Sequence, residues 1–362
     1  MNVDSRAEAW ARLQLSGVAP RPLVELLRVF GSPEGVLGAT PLQRRRHVEA
    51  KVAALLDAPP EPDRVERTLA WLSEPCHDLI AWGDPDYPAL LLEVGDPPPV
   101  LYCMGRRELL GQPALAIVGS RNATPQGCAD AEAFAVALST AGLAIVSGLA
   151  LGIDAAAHRG GLSGAGSSIA VIGTGPDRVY PARNRDLAHE LVARGLVLSE
   201  FAVGTPPQKQ NFPRRNRLVS GLSRGVLVME ATLSSGSLIT ARLAGDQGRE
   251  VFAVPGSIHS PFSKGAHQLI REGAKLVETA KDILDELGIA GAAPTAAAPG
   301  AHPRAATRAI LRALGHDPAG PDTIAARTRL AIPAVLAALT ELEINGRVAS
   351  LPGGVWQRID RC

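Results

Sequence analysis

Residues 115–127 read LAIVGSRNATPQG: an uncharged apolar run, then Gly119, Ser120 and Arg121, then the start of a segment of helix length. A run of this kind suits a strand buried on both faces of a parallel sheet, because such a strand has no side turned to water. The pattern recurs along the chain. LAIVSG (143–148), SIAVIGTG (168–175), LVLSEF (196–201), GVLVMEA (225–231) and EVFAVPG (250–256) are all near-continuous apolar runs. Amphipathic stretches such as 129–141 and 184–194 separate most of them. That alternation predicts an α/β domain over residues 76–287, built on a doubly wound, mostly parallel sheet with ligands at the carboxyl ends of its strands.

The flanks read differently. Residues 1–75 look helical: Leu13, Gly17, Leu23, Leu26, Leu27 and Phe30 recur at near-helical spacing, and FGSPEGVL (30–37) offers a turn with a serine cap before a proline. The outline is that of a small helix-hairpin-helix or SAM-like unit. Residues 31–43 carry no Lys or Arg, so this unit is expected to pack rather than to hold phosphate. Residues 288–303, GIAGAAPTAAAPGAHP, lack any Asp, Glu, Lys or Arg and read as a linker. Beyond them, three helical stretches and ASLPGGVWQRI (349–359), a two-stranded wing about a Pro-Gly-Gly turn, predict a winged-helix domain over 304–362.

Composition narrows the chemistry. With 362 residues, two or three domains are expected, and 46% apolar residues suffice for buried cores. The net charge of +1 hides local patches, so partners must be sought loop by loop. Cys76, Cys103, Cys128 and Cys362 form no C-x-x-C pair, so neither a zinc site nor a disulfide framework is expected. MNVDSRAEAWARLQ at the start is unlike a secretory signal, and no apolar run is long enough for a membrane span. A cytoplasmic protein without metal or cofactor is the expectation.

Five loops at strand ends hold the candidate site. Gly119, Ser120 and Arg121 read either as a tight βα turn or as an anion loop in which a helix start lends its amides and Arg121 its fork. In SGLALGIDAAAHRGGL (147–162), Asp154 reads as a helix cap and His158, four residues on, as structural. Pro206 to Arg224 is the most informative stretch, with five basic residues and no acid. Lys209, Phe212, Arg214, Arg215, Asn216 and Arg217 crowd together there, and an aromatic interleaved with cations in a loop is the composition of a nucleic-acid groove. Ser235, Gly236 and Ser237 open a helix and could take an anion or simply cap it. The fifth loop (255–270) adds Lys264 to the expected DNA contacts. No G-x-x-x-x-G-K-[ST] and no acidic cluster for Mg²⁺ occurs, so neither an ATP motor nor a nuclease is expected.

Taken together, VGSRNATPQG, SGLALGIDAAAHRGGL, VIGTGPDRVYPARNRDL, NFPRRNRLVSGLS, SSGSLITARLA and FAVPGS resemble, in order and spacing, the DNA-processing protein A (DprA, or Smf) family of bacteria. DYPALLLEVGDPPPVLYCMG (86–105) is similar to its lead-in. The resemblance covers about residues 80–285. It implies a Rossmann-like, homodimeric, non-enzymatic protein that binds and protects incoming single-stranded DNA without sequence specificity in natural transformation and helps to load the RecA recombinase. Carried over by motif, Gly119, Ser120 and Arg121 would form the phosphate loop, and Lys209 and Phe212 the cation and stacking ring. Arg214, Arg215, Asn216 and Arg217 would wall the groove, Ser235, Gly236 and Ser237 would complete an anion pocket, and Leu269 and Ile270 would lie at the dimer contact. The competing reading is an enzyme, a nucleoside-monophosphate phosphoribohydrolase, which shares this Rossmann variant. Its P-G-G-x-G-T-x-x-E loop corresponds here to SSGSLITA, leaving Glu200 and Glu230 as the nearby carboxylates.

Overall fold

The structure, a computed structural model, describes residues 3–289, 305–315 and 317–359. Six helices come first: α1 (Val3–Leu15), α2 (Pro20–Phe30), α3 (Pro33–Gly38), α4 (Pro41–Arg44), α5 (Ala50–Leu55) and α6 (Pro62–Leu72). Ser32 caps α3 as its sequence implies, its hydroxyl accepting from the Gly35 amide at 3.0 Å. Trp10, Leu13, Leu23, Leu26, Leu27, Val36 and Trp71 form their core. That core continues onto Leu79, Ala81, Val100 and Tyr102 of the sheet, so the helices are seated on the α/β unit.

The sheet has nine strands. In chain order, with the intervening helices, these are β1 (His77–Ala81), α7 (Ala89–Leu92), β2 (Val100–Gly105), β3 (Ala114–Val118), α8 (Pro125–Thr140), β4 (Ala144–Ser147), α9 (Ile153–Leu162), β5 (Ser168–Val171) and α10 (Arg185–Arg194). Then follow β6 (Leu196–Ser199), α11 (Asn211–Gly221), β7 (Gly225–Val228), α12 (Ser237–Asp246), β8 (Glu250–Ala253), α13 (Lys264–Arg271), β9 (Lys275–Leu276) and α14 (Ala280–Glu286). Their spatial order is β1-β2-β6-β5-β4-β3-β7-β8-β9. The seven strands from β6 to β9 are parallel, and β2 and β1 are antiparallel additions at one edge. The apolar runs are inside on both faces. Ala116 and Val118 of β3 face the core shared with α11 and α12, while Leu115 and Ile117 face the one shared with α8 and α9.

From β3 the chain winds one way through β4, β5 and β6, then crosses back to β7, β8 and β9 on the other side. The reversal lies between β3 and β7, and in this architecture the crevice outside the strand ends at that point is where ligands bind. The described C-terminal residues form α15 (Ala305–Leu314), α16 (Pro321–Thr328), α17 (Ile332–Ile344) and a hairpin of β10 (Val348–Leu351) and β11 (Val355–Arg358), a winged helix about Ile310, Leu314, Ile324, Val335, Leu339 and Leu342. The expected linker falls almost wholly outside the described residues. No single helix among the described residues is long and apolar enough to cross a membrane.

Candidate nucleic-acid interface

The switch-point crevice is filled by the chain itself. Glu230 follows β7, and its carboxylate accepts from the Thr124 amide at 2.8 Å and the Thr124 hydroxyl at 2.5 Å. It lies so close to Gly127 that a Cβ there would meet it at 2.4 Å. The Thr124 hydroxyl in turn accepts from the Gly127 amide at 3.0 Å. The carboxylate thus sits at the N-terminus of α8, where a helix favours an anion, bonded to the cap residue Thr124, whose hydroxyl takes the Gly127 amide. The helix start expected to offer its amides to a phosphate therefore has those of Thr124 and Gly127 already bonded within the chain.

The Gly119–Arg121 turn is held from two sides. The Ser120 amide donates to Glu230 O at 2.6 Å, and Ser120 O accepts from the Ile153 amide at 3.2 Å. Gly152 has φ +76, and a Cβ there would sit 2.3 Å from Ser120 O, so only glycine serves at this crossing of two loops. Arg121 leaves the turn exposed, its guanidinium 5.8 Å from the centre of the Phe212 ring. Phe212 is half-buried and lies against Gly173 at the end of β5, where a Cβ would meet the ring at 2.9 Å. Beside it stands Tyr180, ring centres 5.5 Å apart and planes inclined by 40°. Lys209 and Arg214 are exposed just before and after Phe212. Three strand ends therefore bring Arg121, Tyr180 and Phe212 together.

Pro206–Arg224 is not a loop throughout. From Asn211 it is helix α11, and the helix sorts its arginines. Arg214 is exposed, while Arg215 is 4% and Arg217 9% accessible, so these two do not wall a groove. Arg215 reaches into the sheet, its Nη1 donating to Gly148 O at 2.7 Å and to Val171 O, and its Nε to Asn216 Oδ1 at 3.3 Å. It thereby ties the ends of β4 and β5 to α11. Burial drives its guanidinium down to about 10, still charged at neutral pH. Arg217 forks onto Glu200 at 3.0 and 2.8 Å, and Arg214 reaches the same carboxylate at 3.2 Å while lying 5.6 Å over the Phe201 ring. Asn216 is half-buried beside them.

Asp154 does not cap α9; Gly152 holds that position. The Asp154 carboxylate bends back to accept from the Gly148 and Ala150 amides at 3.1 and 3.3 Å, shaping the turn after β4, and burial pushes its carboxyl up against the pull of Arg215. His158 is structural. Its Nδ1 lies 2.8 Å from the Ser168 hydroxyl, which itself donates to Ile145 O, so Nδ1 carries the proton and Nε2 accepts from the Leu149 amide at 3.3 Å. Burial, helped by Arg215 and Arg159, lowers its pKa to about 3 and keeps it neutral.

The remaining candidates bond elsewhere. Ser235 and Ser237 bond to one another at 2.7 Å, Gly236 is exposed, and Lys264 donates to Ile258 O. Ala231, which leads into the serine loop, is bonded to Phe262 and Gly265 of the loop after β8. Among the described residues no hydrogen bond or ring contact joins Ser235, Gly236, Ser237 or Lys264 to the Arg121–Phe212 cluster. Leu269 is 6% accessible and belongs to this chain's own core, so it has nothing left for a partner; Ile270 is half-buried. No group of three or more His, Cys, Asp or Glu that could hold a metal occurs among the described residues.

Comparison with known proteins places the chain in a family. The sequence profile of the DNA recombination-mediator protein A family matches residues 78–288, and that of the DprA winged helix domain matches residues 293–354. Protein Smf of Escherichia coli K12 is 42% identical over 308 residues, 80% of each chain. The chain belongs to the DNA recombination-mediator protein A family. Among solved members, DNA processing protein A from Streptococcus pneumoniae superposes with a TM-score of 0.68 at 37% identity, over 76% of this chain and 95% of that one. The same protein from Helicobacter pylori, described for its single-stranded DNA binding mode, gives 0.54 at 32% identity, over 58% of this chain and 95% of its own. The sequence reading missed Tyr180 and Gly173 and left Glu230 without its role.

Proposed function

We propose that this member of the family binds single-stranded DNA without sequence preference, across the strand ends that carry Arg121, Tyr180 and Phe212. The observation that carries the reading is the half-buried Phe212 ring, set beside Arg121 with Lys209 and Arg214 exposed around it. Cations track a phosphate backbone, and any base offers a face to a ring, so such a site is tolerant of sequence. The protein is not a catalyst in this reading. The two carboxylates a hydrolase would call on are both engaged, Glu200 by Arg217 and Arg214 and Glu230 by the start of α8. Bound DNA is protected and passed to the RecA recombinase in the cytoplasm during natural transformation, in keeping with the family's description as recombination mediators. It acts as a homodimer through the β9 edge of the sheet, where Leu276 is exposed and Ile270 half-buried. The test is to incubate the protein separately with nucleoside monophosphates and with labelled oligonucleotides. Oligonucleotide binding that Phe212→Ala weakens by about 1–3 kcal/mol, the worth of one base stack, is expected. Release of free base from a monophosphate would replace this reading with the enzymatic one.

A further inference from the structure

Two stretches of the chain carry the same order of side chains. Tyr180-Pro181-Ala182-Arg183-Asn184-Arg185 and Phe212-Pro213-Arg214-Arg215-Asn216-Arg217 are both aromatic, Pro, any residue, Arg, Asn, Arg. The first lies between β5 and α10, and the second starts α11 after β6, so neighbouring parallel strands deliver both to the same end of the sheet. Their aromatic rings meet there. Their arginines have opposite fates. Arg215 and Arg217 are buried, whereas Arg183 and Arg185 are exposed and have no ionic partner among the described residues.

Tyr180 differs from the other two tyrosines of the chain. Tyr87 and Tyr102 are buried, and the Tyr87 hydroxyl donates to Pro98 O at 2.8 Å. Tyr180 is 49% accessible, and its hydroxyl has no hydrogen-bond partner among the described residues. The loop beneath it is nonetheless tightly fixed. The Thr174 hydroxyl donates to Arg178 O at 2.8 Å, the Gly175 amide to Thr205 O at 2.9 Å, and Asp177 accepts from the Gly204 amide at 2.8 Å. On the other side the Asn184 side chain donates to Leu149 O at 2.9 Å and Ala150 O at 3.1 Å. An exposed ring on a fixed loop loses little freedom when a ligand lands on it, which is what a binding platform requires.

We infer that Tyr180 is a second base-stacking residue, so that the strand crosses two rings rather than one. Planes inclined by 40° cannot both lie flat on one base, so Tyr180 and Phe212 each face their own. This rests on the single-strand reading above and adds a residue to it.

Nitration of the full-length protein by tetranitromethane tests it, since only the phenolate reacts. Burial pushes the Tyr87 and Tyr102 phenols well above their ordinary range, so Tyr180 is the tyrosine expected to be modified. Saturation with oligo(dT) should cut nitration of Tyr180 at least tenfold, read by peptide mass spectrometry. Tyr180→Ala should weaken oligo(dT) binding by between roughly fivefold and a hundredfold with an unchanged melting temperature, and Tyr180→Trp should restore it. Tyr180 nitrated as fast with DNA bound as without, or Tyr180→Ala binding like the parent, overturns the inference while leaving the single-strand reading intact. Absence of any oligo(dT) binding by the parent protein instead removes the reading on which it rests.

Discussion

Replacing Arg215 and Arg214 one at a time separates the fold from the function within two adjacent residues. Arg215→Met keeps much of the volume but removes donors to Gly148 O, Val171 O and Asn216 Oδ1. It also leaves the Asp154 carboxylate buried without its nearby cation, since both side chains converge on Gly148, where a Cβ would meet Arg215 at 2.6 Å and Asp154 at 2.8 Å. Breaking a buried charge pair from one side costs about 3–5 kcal/mol, and each carbonyl left without a donor adds to it. A loss of about 3–5 kcal/mol in urea unfolding is therefore expected for Arg215→Met. Arg215→Lys keeps the charge but cannot span both carbonyls and should fall between the two. Arg214→Met should change stability by less than about 1 kcal/mol, because that side chain is half exposed. It should instead weaken single-strand binding and lower the salt slope by about 0.7, one phosphate contact. An Arg215→Met protein as stable as the parent but poor in DNA affinity would instead put Arg215 on the groove wall.

Three further outcomes follow from the same geometry. Gly173→Ala places a Cβ 2.9 Å from the Phe212 ring and should weaken single-strand binding several-fold by displacing it; parental affinity would show that the ring position does not matter. His158 has a folded pKa of about 3 against an ordinary 6.5, so the unfolded chain binds the extra proton, and this stability is complete above pH 6.5 and lost on acidification towards pH 3. At pH 5 the loss is about 2 kcal/mol, and His158→Gln should flatten that part of the unfolding profile; an unaltered profile assigns the acid sensitivity elsewhere. A chain ending at Ile289 should keep single-strand affinity within a few-fold, because α17 exposes Ile332, Leu336, Glu341 and Ile344 and carries no Lys or Arg; a loss beyond tenfold in a folded, truncated protein would place DNA on the winged helix.

Strand after strand was legible because a strand covered on both faces must be apolar throughout, and LAIV, SIAV and GVLV are short, β-branched runs of that kind. The helical flanks and the wing were legible from spacing, the Ser-Pro cap and the Pro-Gly-Gly turn. The basic stretch was legible as a place but not as a set of roles. Counting Arg214, Arg215 and Arg217 as equals ignored the helix they belong to: Leu218, Val219 and Leu222 mark its inner face, and one turn back from Leu218 and Val219 lies Arg215. What draws Arg217 inward is Glu200 at the end of β6, 17 residues earlier, and no local pattern reveals such a pairing. Glu230 is a further case, since its partner Thr124 lies 106 residues away across the switch point. Tyr180 did leave a signal, its shared aromatic-Pro-x-Arg-Asn-Arg order with Phe212, visible only when the two stretches are set side by side.

The most direct test of single-strand binding is an equilibrium titration of one oligonucleotide, as a single strand and as a blunt duplex of equal length, over a series of salt concentrations. Strong preference for the single strand is expected at every salt, with log K falling linearly with log salt by about 0.7 for each phosphate held. Equal affinity for the two forms at the same salt would contradict the assignment of Arg121, Tyr180 and Phe212 to a single-strand groove.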